Sequence, residues 1–139
     1  MIQELTKNNL PSNISKYMEE RLARTTLGAL SHTYIFTIEN LFIGYCILDF
    51  EKGNIDRGLS LYEIMIDPDK RRVGYGSKLL KEIIDLTKRL SFYSIVCKPC
   101  PIEEFVDKDD YRMKQEKIRQ WYIKNGFKKY KNDDYIYKI

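Results

Sequence analysis

The segment Asp67–Ser77 (DPDKRRVGYGS) combines residue types that can hold a phosphate group. It follows an apolar, β-rich run and precedes a stretch with helical periodicity, so Gly74 and Gly76 lie at the start of a predicted helix. The first N–H groups of a helix have no partner within it, and glycines leave the approach to them free of side chains. Arg71 and Arg72 add positive charge to the same loop. The segment therefore predicts a site where backbone N–H groups bind a pyrophosphate.

Three phosphate-binding patterns compete for this loop. A dinucleotide fingerprint needs a third glycine where Leu79 stands, and a P-loop needs a residue order that Gly76–Lys78 does not have. The pattern Arg/Gln-x-x-Gly-x-Gly/Ala is met by Arg71, Gly74 and Gly76. This pattern is short, and an ordinary helix N-terminus with turn glycines would also satisfy it.

A second motif lies downstream, and the two motifs together resemble one family. Leu61–Leu80 and Trp121–Phe127 (WYIKNGF) are similar to the acetyl-CoA site and to the later aromatic-Tyr-x-x-x-Gly-Phe helix of the GNAT superfamily of N-acetyltransferases. The resemblance covers about residues 33–139. It implies the GNAT fold, an α/β structure whose central mixed sheet is mostly antiparallel, with a parallel βαβ unit at the cofactor site and helices on both faces.

The resemblance also implies an activity and the residues that carry it. The cofactor would be acetyl-CoA, with CoA as product, and a primary amine of a small molecule or protein would attack it directly in a ternary complex. One strand would pair with the pantetheine arm, the loop and first helical turn would hold the pyrophosphate, and Tyr122 would protonate the leaving thiolate. The implied cofactor-binding residues are Ile64, Met65, Ile66, Arg71, Arg72, Val73, Gly74, Tyr75, Gly76 and Ser77.

The sequence leaves the general base open. Glu63 lies on the motif strand, but alternation places its side chain on the opposite face from Ile64. Glu103 and Glu104 follow the next strand, and each of the three is more simply a solvated or ion-paired glutamate. A backbone N–H near Ile66 is suited to stabilise the oxyanion that forms on the thioester.

Hydrophobic periodicity distributes these motifs over alternating strands and helices. The run at 59–66 and the run at 92–98 flank a helix, so they should form a parallel pair with a right-handed crossover. Gly126 is placed to end the last helix in the left-handed conformation. Strands are predicted at 1–5, 32–39, 41–51, 59–66, 92–98, 127–131 and 135–139, helices at about 11–28, 74–90 and 112–125, and an irregular segment at 100–111.

Composition sets the wider expectations. With 139 residues, 43% of them hydrophobic, residues 1–139 are predicted to form a single N-acetyltransferase domain. No apolar run reaches the roughly 20 residues of a membrane span, and Met1–Leu10 lacks a signal-peptide pattern. Three cysteines are too few for a disulfide scaffold, so a reducing, cytoplasmic location is expected. Residues 108–139 carry the whole surplus of positive charge in a net +4.

Other functions stay open beside the enzyme. The fold could serve as a non-catalytic acyl-CoA-binding sensor or as a protein-interaction module. The basic C-terminal part could attract nucleic acid, but the chain holds no recognised nucleic-acid motif, and that partner ranks last. We expect no membrane partner and a monomer or homodimer.

The spacing Cys97-x-x-Cys100 could indicate a redox pair or half of a zinc site. Four zinc ligands would need every cysteine plus His32, which lies in a separate strand-like segment. A redox pair of the thioredoxin type should open a helix, whereas Pro101 and an irregular segment follow here. We therefore expect no metal, with Cys97 near the end of its strand and able to line the acceptor cleft.

The segment 100–111 departs from the family, which usually has a short loop there. Gln115 stands where the family often has an asparagine. Acidic side chains in this segment could form a lip that selects a cationic amine, although a solvated loop is the simpler interpretation. They are Glu103, Glu104, Asp107, Asp109 and Asp110.

Overall fold

The computed structural model describes residues 1–6, 8–26, 32–50, 58–101 and 106–139. These segments form seven strands and three helices, with one 3₁₀ turn at Pro68–Lys70. In chain order the elements are β1 (Ile2–Glu4), α1 (Lys16–Thr26), β2 (His32–Ile38), β3 (Leu41–Asp49), β4 (Gly58–Ile66), α2 (Tyr75–Arg89), β5 (Ser94–Cys97), α3 (Lys108–Lys124), β6 (Lys128–Lys129) and β7 (Tyr135–Lys138). None of the helices in the described segments is both long and apolar enough to cross a membrane.

The strands form one mixed sheet in the order β1-β2-β3-β4-β5-β7-β6. Strands β4 and β5 are parallel and joined through α2, whereas the other neighbouring pairs are antiparallel. This confirms the predicted α/β fold with a parallel βαβ unit in a mostly antiparallel sheet.

The parallel pair separates halfway along β4. On its β3 side, β4 stays paired as far as Ile66, which lies opposite Gly44. On its β5 side, pairing within the described residues covers Gly58–Leu61 alone. Strand β5 ends at Cys97 because the prolines at 99 and 101 lack the N–H that a ladder requires. The second half of β4 therefore presents a free backbone edge to the gap.

Helices cover both faces of the sheet. On one face, α1 buries Met18 and Leu22 against Tyr45 and Met65. On the other, α2 and α3 pack on a larger core. The apolar members of α2 recur at helical spacing and lie inward, as predicted. This second core includes Leu79, Leu80, Ile83, Leu86, Ile95, Cys97, Tyr122 and Phe127.

Helix α3 begins four residues before the predicted start at 112. The carboxylate of Asp107 accepts a hydrogen bond from the N–H of Asp110 at 2.9 Å and so caps the helix. Asp110 also pairs with Lys114 at 3.2 Å, so two of the acidic residues at 100–111 stabilise the start of α3. Glu103 and Glu104 lie outside the described residues, and the predicted acidic lip stays a prediction.

Candidate active site

A cavity of about 1230 Å³ opens in the gap between β4 and β5. Its walls come from the free edge of β4, the loop and first turn of α2, the end of β5 and one face of α3. Of the residues predicted from the sequence, Val73 does not line it and is 62% exposed. The others come together there: Ile64, Met65, Ile66, Arg71, Arg72, Gly74, Tyr75, Gly76, Ser77 and Tyr122.

The N-terminus of α2 is built to receive an anion. Its N-cap, Gly74, has φ 84° and makes no side-chain cap, and no acidic residue lies in the first turn. A Cβ at Gly74 would meet nothing within 4 Å, whereas one at Gly76 would lie 3.2 Å from Cζ2 of Trp121. The first N–H groups of α2 thus face the cavity at the positive end of the helix dipole, and the glycine at the N-cap places no side chain before them. This geometry fits a pyrophosphate.

The loop before α2 is held by its own charged side chains. Asp67 is 3% exposed and accepts a hydrogen bond from the N–H of Asp69 at 3.1 Å, while Lys70 donates to the Phe42 carbonyl at 2.6 Å. The Nε of Arg71 donates to the Ile66 carbonyl at 3.0 Å and ties the loop to the end of β4. Burial lowers the pKa of Arg71, with Tyr17 and Asp67 opposing that shift and Arg21 adding to it. These contacts fix the loop before any ligand binds.

Tyr122 lies where β4 and β5 separate. It is 4% exposed, and its ring packs edge-on between Trp121 and Phe127, with centroid distances of 4.9 and 5.0 Å. Its hydroxyl interacts with the thiol of Cys97, which pairs in register with Leu61. Burial, followed by the charge of Cys97, raises the pKa of Tyr122 well above 10.0. The phenol therefore stays protonated at neutral pH and has a proton to donate.

The two cysteines of the Cys-x-x-Cys pair lie in different surroundings. Both line the cavity, but Cys97 is buried and Cys100 is exposed. Burial raises the pKa of Cys97 to about 12. No group of three or more His, Cys, Asp or Glu side chains with metal-binding geometry is found among the described residues.

A buried ionic network on the α1 side of the cavity was only partly visible in the sequence. Arg21 donates from Nε to the Tyr45 hydroxyl at 3.0 Å, and this hydroxyl donates to Oε2 of Glu63. The Nη2 of Arg21 lies 3.6 Å from Oε1 of Glu63. Glu63 faces α1, away from Ile64, as alternation predicts. Sequence reasoning weighed Glu63 as a base but missed Arg21, whose signal was a basic residue beside Leu22 on the inward face of α1.

Sequence reasoning also missed charged residues of the cavity wall, among them two lysines and an aspartate. Lys114 and Lys117 lie on α3 about two turns and one turn before Trp121, and Asp134 precedes β7. The sequence predicted a turn at Asp134 and a solvated helix face for the lysines. Only the position of α3 beside the β4–β5 gap brings them to the cavity.

Known proteins share this fold. The profile of the acetyltransferase (GNAT) domain matches residues 29–129. No curated protein matches the sequence significantly. A chimera of the spermidine N-acetyltransferase SpeG from Vibrio cholerae and hSSAT is 13% identical, with a TM-score of 0.67 over 99% of this chain and 96% of that one. A GNAT family acetyltransferase from Elizabethkingia anophelis with acetyl-CoA bound is 15% identical, with a TM-score of 0.62 over 100% and 97%. Tetrahymena GCN5 is 12% identical, with a TM-score of 0.63 over 100% of this chain and 96% of that one.

Proposed function

Because the chain belongs to the GNAT acetyltransferase family, we propose that it transfers the acetyl group of acetyl-CoA to a primary amine of a small molecule or protein. The observation that carries the proposal is the order of features along one cavity. Uncapped N–H groups of α2 lie at one end, a free β4 edge follows, and Tyr122 lies where the strands separate. This order matches the pyrophosphate, the amide-containing pantetheine arm and the thioester of acetyl-CoA.

The first two features would hold the cofactor. Backbone N–H groups of residues 72–77 would bind the pyrophosphate, and the guanidinium of Arg72 would add charge to them. Val73 would contribute its backbone alone, because its side chain lies outside the cavity. The main chain of Ile64–Ile66 would pair with the amides of the pantetheine arm, as an added strand does. When bound, acetyl-CoA supplies an activated carbonyl.

The transfer itself requires three contributions from the chain. An ammonium must lose a proton before its nitrogen attacks, and the carboxylate of Glu63 lines the cavity on the α1 side to receive it. A free N–H of the β4 edge close to the thioester would stabilise the oxyanion. Tyr122 would then give its proton to the departing CoA thiolate as the carbon–sulfur bond breaks, and the second proton that the nitrogen loses as the amide forms would restore the phenol through solvent. Holding both substrates in one cavity also lowers the barrier.

The test has two parts, cofactor binding and amine turnover. Acetyl-CoA at about 100 times its Kd should stabilise the fold by about 2.7 kcal/mol, which a thermal melt would register as a clear rise in Tm. Release of CoA thiol in the presence of an amine library should then identify turnover. Absence of any stabilisation by acetyl-CoA or CoA would contradict the proposal. Stabilisation without turnover of any amine would indicate a non-catalytic acyl-CoA sensor.

A further inference from the structure

We infer that the acceptor carries a carboxylate beside its amine, as a free α-amino acid does, and that Arg21 and Glu63 bind these two groups. The inference rests on the proposed acetyl transfer and names the substrate class of the same cavity. It comes from the ionic network on the α1 side, which the cofactor-binding features do not use.

Arg21 and Glu63 present opposite charges side by side on the cavity wall. Both line the cavity, and their side chains are only 18% and 15% exposed. Their charged groups lie 3.6 Å apart, and the fully buried hydroxyl of Tyr45 contacts both. The ammonium and carboxylate of an α-amino acid are separated by a similar short distance. Such an acceptor can therefore set its ammonium against Glu63 and its carboxylate against Arg21, so that each charge meets its opposite.

The position of Glu63 along β4 also suits an amine that must reach the thioester. Leu61 marks the end of the β4–β5 pairing, opposite Cys97 and its partner Tyr122. Glu63 is two residues further along β4, about 7 Å at the rise of a strand. An amine held by Glu63 from the α1 side would thus lie near a thioester placed beside Tyr122.

The local charge balance favours an acceptor with an anionic group. Three cations, Arg21, Lys70 and Arg71, surround the end of β4, whereas two carboxylates, Glu63 and Asp67, oppose them. The guanidinium groups of Arg21 and Arg71 both line the cavity. A carboxylate on the acceptor would be attracted to these positive charges, whereas a polyamine would be repelled by them.

A panel of matched acceptors tests the inference. Each natural α-amino acid is compared with its α-carboxamide and with its decarboxylated amine, with CoA release as the readout. The free acid should have the highest kcat/KM, by roughly ten- to a hundredfold, which is the usual effect of one charge-assisted hydrogen bond. The amine of the amide is less basic and more of it is unprotonated at neutral pH. Without a carboxylate site the amide would therefore react at least as well.

Variants on α1 show whether Arg21 makes this distinction. Arg21→Gln should remove the preference for acid over amide, mainly through KM, and Arg21→Lys should retain part of it because the charge remains. Arg24→Gln is the matched control, since Arg24 is exposed on α1 and does not line the cavity. Because Arg21→Gln leaves Glu63 without its cation, the double variant Arg21→Gln/Glu63→Gln supplies a neutral pair for binding measurements alone, since Glu63 is also the proposed base, and thermal melts verify folding.

The outcomes separate this inference from the proposed function. Turnover of amides and simple amines at rates equal to or above those of the acids would overturn the carboxylate site and leave acetyl transfer standing. Isothermal titration of the amino acids into the protein with bound CoA decides the matter without turnover. Binding that Arg21→Gln weakens and Arg24→Gln does not would support the inference, and no binding by any amino acid would refute it.

Discussion

The hydroxyl of Tyr122 and the thiol of Cys97 interact at the point where β4 and β5 part. Tyr122 comes from α3 and Cys97 ends β5, so this contact places the phenol where the core meets the gap. Neither residue is ionised at neutral pH, because burial raises the pKa of both groups. A neutral phenol in a buried position is the form that a proton donor requires.

The first prediction concerns that phenol. Tyr122→Phe removes the hydroxyl and keeps the ring that packs on Trp121 and Phe127. We expect kcat to fall about 10²- to 10⁴-fold, the usual contribution of a general acid, while the Kd of acetyl-CoA stays within about twofold. Steady-state kinetics and calorimetry measure the two quantities.

Tyr130→Phe is the matched control, since Tyr130 is half-buried and does not line the cavity. It should leave both quantities unchanged. A Tyr122→Phe enzyme with normal kcat would remove the tyrosine from the proposed chemistry, although the cofactor site would be unaffected.

The second prediction concerns the glycine at the start of α2. Gly74→Glu places a carboxylate beside the uncapped N–H groups and strains a residue with φ 84°. We expect the affinity for acetyl-CoA to fall at least about tenfold, measured by titration calorimetry.

Gly126→Ala is the control, because Gly126 also has a positive φ of 95° but lies at the end of α3, away from the cavity lining. This control variant should lower Tm without weakening the binding of acetyl-CoA. Equal losses of affinity in both variants would point to general unfolding.

Much of this arrangement was predictable from local pattern. The alternation in β4, the helical periodicity of α2 and the two glycines between them depend on neighbours in the sequence, and each lies where predicted. Gly126, with φ 95°, follows the end of α3 in the left-handed conformation, as a glycine at this position predicted. The start of α3 was wrong by four residues because the cap formed by Asp107 was read as part of an irregular acidic loop.

The rest of the site depends on contacts between distant residues. Arg21 and Glu63 are far apart in the sequence, and only the packing of α1 across β3 and β4 brings them together. The wall contributed by Lys117 depends on the angle of α3 to the gap, which no local pattern encodes. Pairing of one strand with the pantetheine arm was expected from the family resemblance, whereas the separation of β4 from β5 at Leu61 follows from the prolines after β5.

The third prediction distinguishes the cysteines by their reactivity. Cys100 is exposed, whereas Cys97 has a pKa of about 12 and Cys46 is fully buried with a raised pKa. At pH 8 only about one Cys97 in ten thousand would be thiolate, which is the reactive form. Brief iodoacetamide treatment of the native protein should therefore add one carbamidomethyl group, located on Cys100 by mass spectrometry. Cys100→Ser should prevent the addition, and unfolding in urea should expose all three cysteines. Modification of native Cys97 before Cys100 would contradict the assigned burial.

The last prediction concerns stability at alkaline pH. Burial raises the pKa of Cys97 to about 12 from an ordinary value of 9.0, and it raises the pKa of Cys46 and Tyr122 as well. The folded protein therefore holds these protons more tightly than the unfolded chain does. Above pH 9 the unfolded chain loses them first, so the free energy of unfolding is fully retained below that pH and decreases as the pH rises.

Urea unfolding between pH 7 and about 9.5 measures this dependence while most exposed tyrosines are still protonated. We expect a constant midpoint up to about pH 8.5 and a progressive fall above it. Cys97→Ser replaces the buried thiol with a hydroxyl that does not titrate in this range, so its midpoint should fall less steeply. Cys100→Ser should follow the wild-type slope, because Cys100 is exposed in both states. A wild-type slope in Cys97→Ser would show that the buried thiol does not couple ionisation to folding.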